Sequence, residues 1–570
     1  MEDRMNVLSR LIRLISDMPA AEARRVAASR LGVVRIVALC CFCAIGLRVG
    51  WLAIDLSSEA KAYTPTIKQS VRGDILDRNG QVMATTVPVF ELYADPQEIL
   101  DPREAAAKLA TVLTDMDEET IYKRITRDTR YAELAWRLSP KKYADVLRLG
   151  VAGIHGRRKL TRAYPNATAA AHVLGGVNKD GQGIAGIEHH QNTLLASGTD
   201  LTLSIDLNIQ AILREEISSQ IDLFEAIGGA GIIQDIETGE IIAMVSLPDY
   251  NANHMGYIAD DHRFNRATKG LYELGSTFKV MNTAMALESG IFAETDMIDV
   301  ISTLRVGRHI IDDYHPEKAN LNVAEVLIVS SNKGSARIAD ELGADIQKHF
   351  LNELGFFEKT ALELPELGMP LIPSRWGRAE IMTISYGHGI SVTPVHLTSA
   401  IATTAGSGLL VTPTLIKQSQ PAEINVQVFS PQTAAKIRAM MRRVVSHPRG
   451  TANKADVNGY LVAGKTGTSE KISGNGYDTK ANITSFVSVF PANDPKYVVF
   501  TMIDEPKGQK HSYNFATAGW VAAPVAGRII KRVAPMLGVH PIDENMPEIR
   551  QSLMLNLPEL EKEGAKHASF

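Results

Sequence analysis

The sequence predicts a membrane-anchored α+β protein, in which an extended mixed α+β domain precedes a larger domain with a central antiparallel sheet flanked by helices. Two observations support this prediction. A single apolar stretch lies near the N-terminus, at residues 31–54. After residue 207, segments with β-like alternation lie at both ends of a region whose middle shows helical periodicity. Strands on both sides of a helical middle indicate one sheet built from distant segments.

The composition is that of an ordinary globular protein. Its 570 residues are enough for two or three domains, and 45% of them are hydrophobic and 22% charged. The formal net charge of −4 gives no electrostatic basis for nucleic-acid binding, so we expect no nucleic-acid partner. The three cysteines, Cys40, Cys41 and Cys43, all lie in the apolar stretch. The remaining chain therefore has no intrachain disulfide or cysteine-ligated metal, which suits an exported domain.

The apolar stretch predicts a single-pass transmembrane anchor at residues 31–54. Twenty-four helical residues would span about 36 Å, which is enough for the core of a bilayer. Arg35 and Arg48 interrupt the stretch and would have to snorkel to opposite interfaces. Residues 1–30 carry six arginines and four acids, so the positive-inside rule keeps this tail in the cytoplasm and places the chain after residue 54 outside.

Two alternatives to an anchor are open. A cleaved signal peptide could end at Ala-Lys-Ala, residues 60–62, but a thirty-residue leader before the apolar stretch is long for a signal peptide. A buried helix of a soluble domain is the other alternative. The flanking Trp51 and the basic tail disfavour it.

A mixed α+β domain is predicted at residues 65–206, and its sequence shows little sign of catalytic motifs. The segment 71–95 alternates apolar and polar residues around an Asn-Gly turn, which predicts a β-hairpin. Residues 101–150 show charged, helical patterns. We expect Arg72 and Arg78 to pair with acids inside this domain.

The larger domain is predicted at residues 207–535. It opens with a helix over 207–226 and a hairpin over 228–248, whose turn is Glu-Thr-Gly. Helices follow, then three strands joined by turns, and a closing helix over 522–537. The polar tail, residues 536–570, is predicted to be loosely ordered.

Ser276 and Lys279 lie three residues apart at the predicted start of a helix. Such residues share one face, so the lysine amine can approach the serine hydroxyl. A serine nucleophile needs such a base, because its hydroxyl is not ionised at neutral pH. The helix dipole also favours negative charge that develops there. The same spacing fits a capped helix with a solvated lysine.

Ser330, Ser331 and Asn332 lie on a predicted turn between two helices. The hydroxyl of Ser330 could relay a proton to a leaving amine, and the amide of Asn332 could fix a substrate backbone or position the lysine. The alternative is a helix cap, because serine and asparagine both favour that position. His388, between two glycines, could be a second base or a loop histidine bonded to backbone.

The segment from Lys465 to Thr468 lies on a predicted strand. A period of two places Thr466 and Thr468 on one face, where two hydroxyls beside the Lys465 amine could receive a carboxylate. Gly467 has no side chain, so a substrate backbone could lie along the strand as an added strand. The alternative is an edge strand whose charge prevents aggregation.

Each motif is weak alone, but S-x-x-K, S-x-N and K-T-G in this order form the set of penicillin-interacting serine enzymes. The chain resembles class B penicillin-binding proteins over nearly its whole length. With asparagine at position 332 the chain resembles the division type, penicillin-binding protein 3, whereas the elongation type tends to have an acid at this position. Leu274 departs from the family, which usually has proline. The resembling segments are 72–84, 162–175, 181–188, 265–279, 385–400 and 462–471.

The resemblance implies a non-catalytic, dimerisation-type pedestal at 65–206 and a penicillin-binding transpeptidase domain with an all-helical subdomain at 207–535. It implies a peptidoglycan D,D-transpeptidase that acts on stem peptides ending in D-Ala-D-Ala. Ser276 would be the nucleophile, Lys279 its base and Ser330 the proton relay. The remaining site residues would be Asn332, Lys465, Thr466, Gly467 and Thr468, of which Lys465, Thr466 and Thr468 hold the substrate carboxylate.

The resemblance also implies partners and a location. β-Lactams would acylate Ser276, and a septal glycan polymerase and other division proteins would be partners. The chain would lie in the bacterial inner membrane, with its catalytic domain on the periplasmic or extracellular side. No cofactor and no metal are expected. The alternatives are an elongation-type transpeptidase, a D,D-carboxypeptidase or β-lactamase that uses water, and a non-catalytic β-lactam sensor or division scaffold.

Overall fold

The computed structural model divides the chain into two compact units, Met1–Gln69 and Ser70–Phe570, which we describe separately. In the first unit, residues 35–50 of the expected anchor are helical. No helix among the described residues is both long and apolar enough to cross a membrane. The N-terminal tail, residues 1–30, the flanks of the expected anchor and the residues from there to 70 lie outside the described residues. The described ranges are 32–33, 35–50, 71–256, 258–307, 309–420, 426–473 and 476–555.

The pedestal, here residues 71–206, is built on a twisted sheet in which the long strand β2 pairs antiparallel with β1, β3 and β4, and β1 pairs parallel with β7. The predicted hairpin is confirmed, with Gly80 of its turn at φ +82°. The strands are β1 (Ile75–Leu76), β2 (Val82–Ala94), β3 (Ala132–Leu138), β4 (Ile154–Ala163), β5 (Gly176–Val177), β6 (Gly183–Ala185) and β7 (Leu201–Thr202). The helices are α1 (Pro102–Ala110), α2 (Glu118–Ile125), α3 (Pro140–Arg148), α4 (Ala171–Leu174), α5 (Gly186–His190) and α6 (Asn192–Ala196).

Strand β3 interrupts a segment that the sequence predicted to be helical. Ala132 and Leu134 are buried, whereas Glu133 between them is exposed, which is the period of two of a half-buried strand. Highly charged helices flank this short run, and four of its seven residues pair with β2 at the margin of the sheet. The pairing partner, rather than local propensity, therefore decides the conformation.

A buried ion cluster holds the pedestal together. Glu188 is fully buried and accepts hydrogen bonds from Arg72 Nε at 2.7 Å and Arg162 Nε at 2.6 Å. The expectation that Arg72 pairs within the pedestal is therefore confirmed. For Arg78 it is wrong, because Arg78 Nη2 lies 3.2 Å from Glu240 in the larger domain, where the β1–β2 turn meets that domain.

The larger domain contains one five-stranded antiparallel sheet in the order β14–β15–β16–β8–β9, which confirms a sheet assembled from distant segments. Helices α7 and α15 pack on one face, whereas α9 and α13 pack on the other. The strands are β8 (Gly228–Asp235), β9 (Ile241–Leu247), β14 (Ala463–Ser473), β15 (Gly476–Phe490) and β16 (Tyr497–Asp504). The packed helices are α7 (Leu207–Leu223), α9 (Lys279–Glu288), α13 (Pro394–Ala405) and α15 (Ala522–Val533).

The region between β9 and β14 is mainly helical, but it is not the all-helical subdomain that the resemblance implied. It contains two small antiparallel sheets, β10–β13 and β11–β12, whose strands of two or three residues are too short to show alternation. The strands are β10 (Met297–Ile298), β11 (Leu304–Val306), β12 (His309–Ile311) and β13 (Leu321–Asn322). The other helices are α8 (Asp260–Arg263), α10 (Val323–Ile328), α11 (Asn332–Glu353), α12 (Arg378–Ile384) and α14 (Pro431–Ser446).

The chain beyond the closing helix packs on the larger domain, in contrast to the loosely ordered tail that the sequence predicted. Arg442, a buried residue of α14, donates to Glu544 Oε2 at 2.7 Å. Leu553, at the end of helix α16 (Pro547–Ser552), is also buried. A buried guanidinium needs carboxylate partners, and the tail supplies one of them. Residues 556–570 lie outside the described part.

Candidate active site

Ser276 lies on a tight turn at the edge of a large cleft. A 3₁₀ turn, Gly275–Phe278, runs directly into α9, and Gly275 begins it at φ +58°, a left-handed conformation that glycine adopts without strain. Phe278 and Thr277 are buried beneath the turn. Ser276 is only partly buried and lines a cleft of about 800 Å³. The turn therefore fixes the backbone and presents the serine side chain to the cleft.

Lys279 follows one turn later and is buried, with 1% of its surface exposed. Its Nζ donates to Ser330 O at 2.6 Å, Ser330 Oγ at 3.2 Å and Asn332 Oδ1 at 2.7 Å. The backbone N–H of Lys279 donates to Ser276 O within the turn, but in the part of the chain that the structure describes no hydrogen bond joins the Ser276 hydroxyl to the Lys279 amine. The helical turn that carries Ser330 and Asn332 therefore holds the lysine amine directly beneath the nucleophile turn.

Lys465 on β14 is the second buried lysine of the site. Its Nζ donates to Ser330 Oγ at 2.8 Å and to Thr466 O at 3.2 Å. The helix α9, the turn before α11 and the strand β14 therefore meet at one serine hydroxyl.

Burial governs the protonation of both lysines. Burial lowers the pKa of Lys465 to about 7. Burial and then the nearby charge of Lys465 lower the pKa of Lys279 well below its ordinary value, although the Asp313 carboxylate opposes this shift. Two ammonium groups that share one buried acceptor repel each other. Burial and the neighbouring lysine therefore both favour the neutral form of the Lys279 amine, which is the form that can accept a proton.

The three residues Ser330, Ser331 and Asn332 at the start of α11 have two different structural roles. Ser331 caps the helix, because its Oγ accepts from Gly334 N at 3.0 Å, so the cap interpretation applies to this residue. Ser330 adopts φ +65°, a strained conformation for a residue other than glycine, and together with Asn332 it contacts Lys279. Strain of this kind concentrates where the surrounding contacts impose it, often at functional sites.

Thr466 and Thr468 both line the cleft, on one face of β14 as the period of two predicts. Thr466 Oγ1 lies 2.7 Å from Thr451 Oγ1, and Thr468 Oγ1 accepts from Ala518 N at 3.1 Å. β14 is also an edge strand of its sheet. The strand thus presents two fixed hydroxyls beside a buried amine.

Gly467 makes a close internal contact that could not be predicted from the sequence. A Cβ added to it would lie 2.3 Å from Leu274 O and 2.7 Å from Ser485 Oγ. Ser469 Oγ donates to Glu273 O and fixes the same close approach. The absent side chain therefore makes room for the chain that leads into the Ser276 turn, and this internal contact alone requires glycine.

The structure also brings residues to the site that no motif contains. The carboxylate of Asp313 accepts from Ser331 Oγ at 2.8 Å, and Thr451 contacts Thr466. Both lie in loops, where a single sequence gives no signal.

His388 lines the cleft and bonds the backbone of Tyr386, as a loop histidine does, and burial lowers its pKa. Among the described residues, no cluster of three or more His, Cys, Asp or Glu side chains is placed to hold a metal ion.

Comparisons with known proteins agree with this architecture. The family described as penicillin-binding protein transpeptidase domain matches residues 229–531, and the penicillin-binding protein dimerisation domain matches 67–198. A probable peptidoglycan D,D-transpeptidase FtsI from Caulobacter vibrioides is 35% identical, over 88% of this chain and 87% of that protein. The peptidoglycan D,D-transpeptidase FtsI of Escherichia coli K12 is 29% identical, over 87% of this chain and 89% of that protein.

Two solved structures share the fold. A peptidoglycan synthetase from Bifidobacterium adolescentis has a TM-score of 0.66 and 22% identity, with 84% of this chain and 98% of that chain covered. Penicillin-binding protein 3 from Mycobacterium tuberculosis, complexed with aztreonam, has a TM-score of 0.65 and 23% identity, with 83% and 97% covered. The transpeptidase match spans more than half of the sequence, and a relative above 30% identity covers most of it. The chain therefore belongs to the penicillin-binding proteins that combine a dimerisation domain with a transpeptidase domain.

Proposed function

We propose that this protein is a serine D,D-transpeptidase that cross-links peptidoglycan stem peptides through an acyl-enzyme on Ser276. The observation that carries this proposal is the convergence of Lys279 and Lys465 on the Ser330 hydroxyl, in the cleft that Ser276 lines. The FtsI relatives, which are named peptidoglycan D,D-transpeptidases, support the substrate class.

In the first half-reaction, Ser276 Oγ attacks the carbonyl carbon of the penultimate D-alanine, and the neutral amine of Lys279 takes the hydroxyl proton. By analogy with the family, the backbone N–H groups of Ser276 and Thr468 stabilise the oxyanion. Gly275, which precedes Ser276, lies against the Thr468 backbone, since a Cβ added to it would lie 2.9 Å from Thr468 O. Each such donor contributes roughly 3–4 kcal/mol to transition-state stabilisation.

The C–N bond then breaks, and the departing D-alanine amine needs a proton. Lys279 Nζ lies 3.2 Å from Ser330 Oγ, so the proton can pass from the lysine through this hydroxyl to the amine. A serine oxygen offers two lone pairs and one proton, which allows it to accept from the lysines and to donate to the substrate. An amine of a neighbouring stem peptide then attacks the ester, forms the cross-link and frees Ser276.

The donor peptide binds along β14. Lys465, Thr466 and Thr468 receive its terminal carboxylate, and its backbone lies beside Gly467 as an added strand on the edge of the sheet. Asn332 orients Lys279, because its Oδ1 accepts from the amine at 2.7 Å. β-Lactams mimic the donor and leave a slowly hydrolysed ester on Ser276.

We also propose the setting of this reaction. The division-type relatives support a septal role with a glycan polymerase and other division proteins as partners. Residues 31–54 anchor the chain in the inner membrane, with residues 1–30 in the cytoplasm and the catalytic domain outside. The pedestal, 65–206, precedes a transpeptidase domain at 207–535, and a C-terminal tail follows at 536–570.

Mass spectrometry of the penicillin adduct tests the proposal. We expect one penicilloyl group on the peptide that contains Ser276 and none on the Ser276→Ala variant. Incubation with stem peptides should yield cross-linked dimers. An adduct on another residue would overturn the proposal, and release of D-alanine without cross-links would favour a D,D-carboxypeptidase.

A further inference from the structure

Asp313 lies in the loop after β12, outside the three motifs, and binds the start of α11. Its Oδ1 accepts from the backbone N–H groups of Asn332 and, at 3.1 Å, Lys333. Its Oδ2 accepts from Ser331 Oγ at 2.8 Å. The first N–H groups of a helix have no partner within it, so this carboxylate satisfies two of them and meets the positive end of the helix dipole.

The loop that carries Asp313 is itself held on two sides. Asp312 pairs with Lys333 Nζ at 2.9 Å on the side of α11. On the other side, Glu317 forms an ion pair with Arg449, close in the chain to Thr451, which contacts β14. The segment 312–317 therefore connects the Ser330 turn to the loop beside the strand that carries Lys465.

Asp313 also acts on the charge of the site. The groups that bear on Lys279 are Lys465, which disfavours its charged form, and Asp313, which favours it. His388 lies on the cleft wall, where burial lowers its pKa, the bond to the Tyr386 backbone opposes this shift, and the charge of protonated Lys279 adds to it. Among the described groups that act on the Lys279 charge, Asp313 supplies a negative charge opposite two buried lysines.

We propose that Asp313 is a positioning residue for acylation of Ser276. Its carboxylate holds the Ser330–Asn332 turn in the geometry that places Ser330 Oγ and Asn332 Oδ1 on Lys279, and it adds a negative charge near that lysine. The proposal rests on the proposed function, and it assigns a role to a loop that belongs to none of the motifs.

Two variants separate the two parts of this role. Asp313→Ala removes the contacts with the turn, and we expect the acylation rate constant to fall about 10- to 100-fold, because small displacements of reacting groups are costly. Asp313→Asn keeps the shape and removes the charge. The carboxylate favours protonated Lys279, so its removal favours the neutral amine, and the acidic limb of the rate profile should shift to lower pH.

The experiment is stopped-flow acylation by a fluorescent penicillin between pH 4 and pH 9, with thermal unfolding of every variant. Asp101→Ala is the matched control, because Asp101 caps α1 in the pedestal by accepting from Arg103 N and Glu104 N, both at 3.0 Å. Its acylation rate should equal that of the wild type.

The proposal is overturned if Asp313→Ala is acylated at the rate of the Asp101→Ala control. It is also overturned if the acidic limb of Asp313→Asn coincides with that of the wild type, since Asp313 would then be a helix cap alone. Either result is distinct from failure of the proposed function, in which the wild-type chain itself carries no adduct on Ser276.

Discussion

Lys279 and Lys465 donate to the same oxygen atom, Ser330 Oγ, at 3.2 Å and 2.8 Å. One lysine lies on helix α9 and the other on strand β14, and both side chains are buried. Burial and the charge of Lys465 lower the pKa of Lys279, and burial lowers the pKa of Lys465 to about 7, so the site disfavours two charged lysines. The two proposed roles, base and carboxylate receptor, need opposite protonation states.

The first prediction is a bell-shaped pH profile of kcat/KM for a donor peptide that ends in a carboxylate. Activity requires neutral Lys279, which sets the acidic limb, and protonated Lys465, whose pKa of about 7 sets the alkaline limb. Above that pH, kcat/KM should fall about tenfold per unit. In Lys465→Arg the guanidinium does not titrate in this range, so the alkaline limb should disappear even if the rate is lower. A limb that persists in this variant would contradict the assignment.

The second prediction concerns Gly467→Ala. The added methyl group would lie 2.3 Å from Leu274 O, so the chain before Ser276 must move. We expect the free energy of unfolding to fall by about 1–3 kcal/mol and acylation of Ser276 to slow. Urea denaturation and penicillin labelling measure the two effects. Gly256→Ala is the control, because its Cβ meets nothing within 4 Å. Full stability with weakened peptide binding alone would instead favour room for substrate as the reason for glycine.

The third prediction concerns the Glu317–Arg449 ion pair, whose side chains are 19% and 27% exposed. A double-mutant cycle of Glu317→Gln and Arg449→Gln should give a coupling energy in the free energy of unfolding of about 1 kcal/mol or more, because partial burial limits screening. The pair Arg103–Glu119, which is more than half exposed on both sides, should give less. Equal coupling energies for the two pairs would show that segment 312–317 is not fastened to the loop beside β14.

The fourth prediction concerns the buried pedestal cluster. Glu188→Gln should lower the free energy of unfolding by about 3–5 kcal/mol, because it leaves the guanidinium groups of Arg72 and Arg162 buried without a charged partner. Chemical denaturation measures this loss. Glu98→Gln, at an exposed pair with His155, should change stability by less than about 0.5 kcal/mol. A comparable loss in both variants would mean that the cluster contributes no more than a surface pair.

Each motif could be placed on its element from the sequence because strong local signals surround it. Gly275 begins the turn before Ser276, two apolar helical patterns flank Ser330, and alternation around Lys465 predicts β14. The convergence of the three could be expected only through the resemblance. It depends on the pairing of β16 with β8, which brings the two ends of the domain into one sheet.

Other features could not be predicted because their causes are tertiary. Strand β3 forms where β2 offers a partner, although the segment around it has helical composition. Gly467 is explained by the carbonyl of Leu274, which is distant in sequence. Asp313 lies in a loop whose composition is typical of any polar surface. In these cases the deciding contact joins residues that no local pattern relates.

The β1–β2 turn ties the pedestal to one end of the transpeptidase sheet. Arg78 Nη2 contacts Glu240 at 3.2 Å, and Lys417 Nζ donates to Arg78 O at 2.9 Å. Within the pedestal, Asn79 of the same turn donates at 2.8 Å to Asp206, the residue directly before α7. A mechanical load on the pedestal cannot leave that end of the sheet undisturbed unless these bonds break. Force applied to the pedestal would therefore reach, through these bonds, the sheet whose strand β14 carries Lys465.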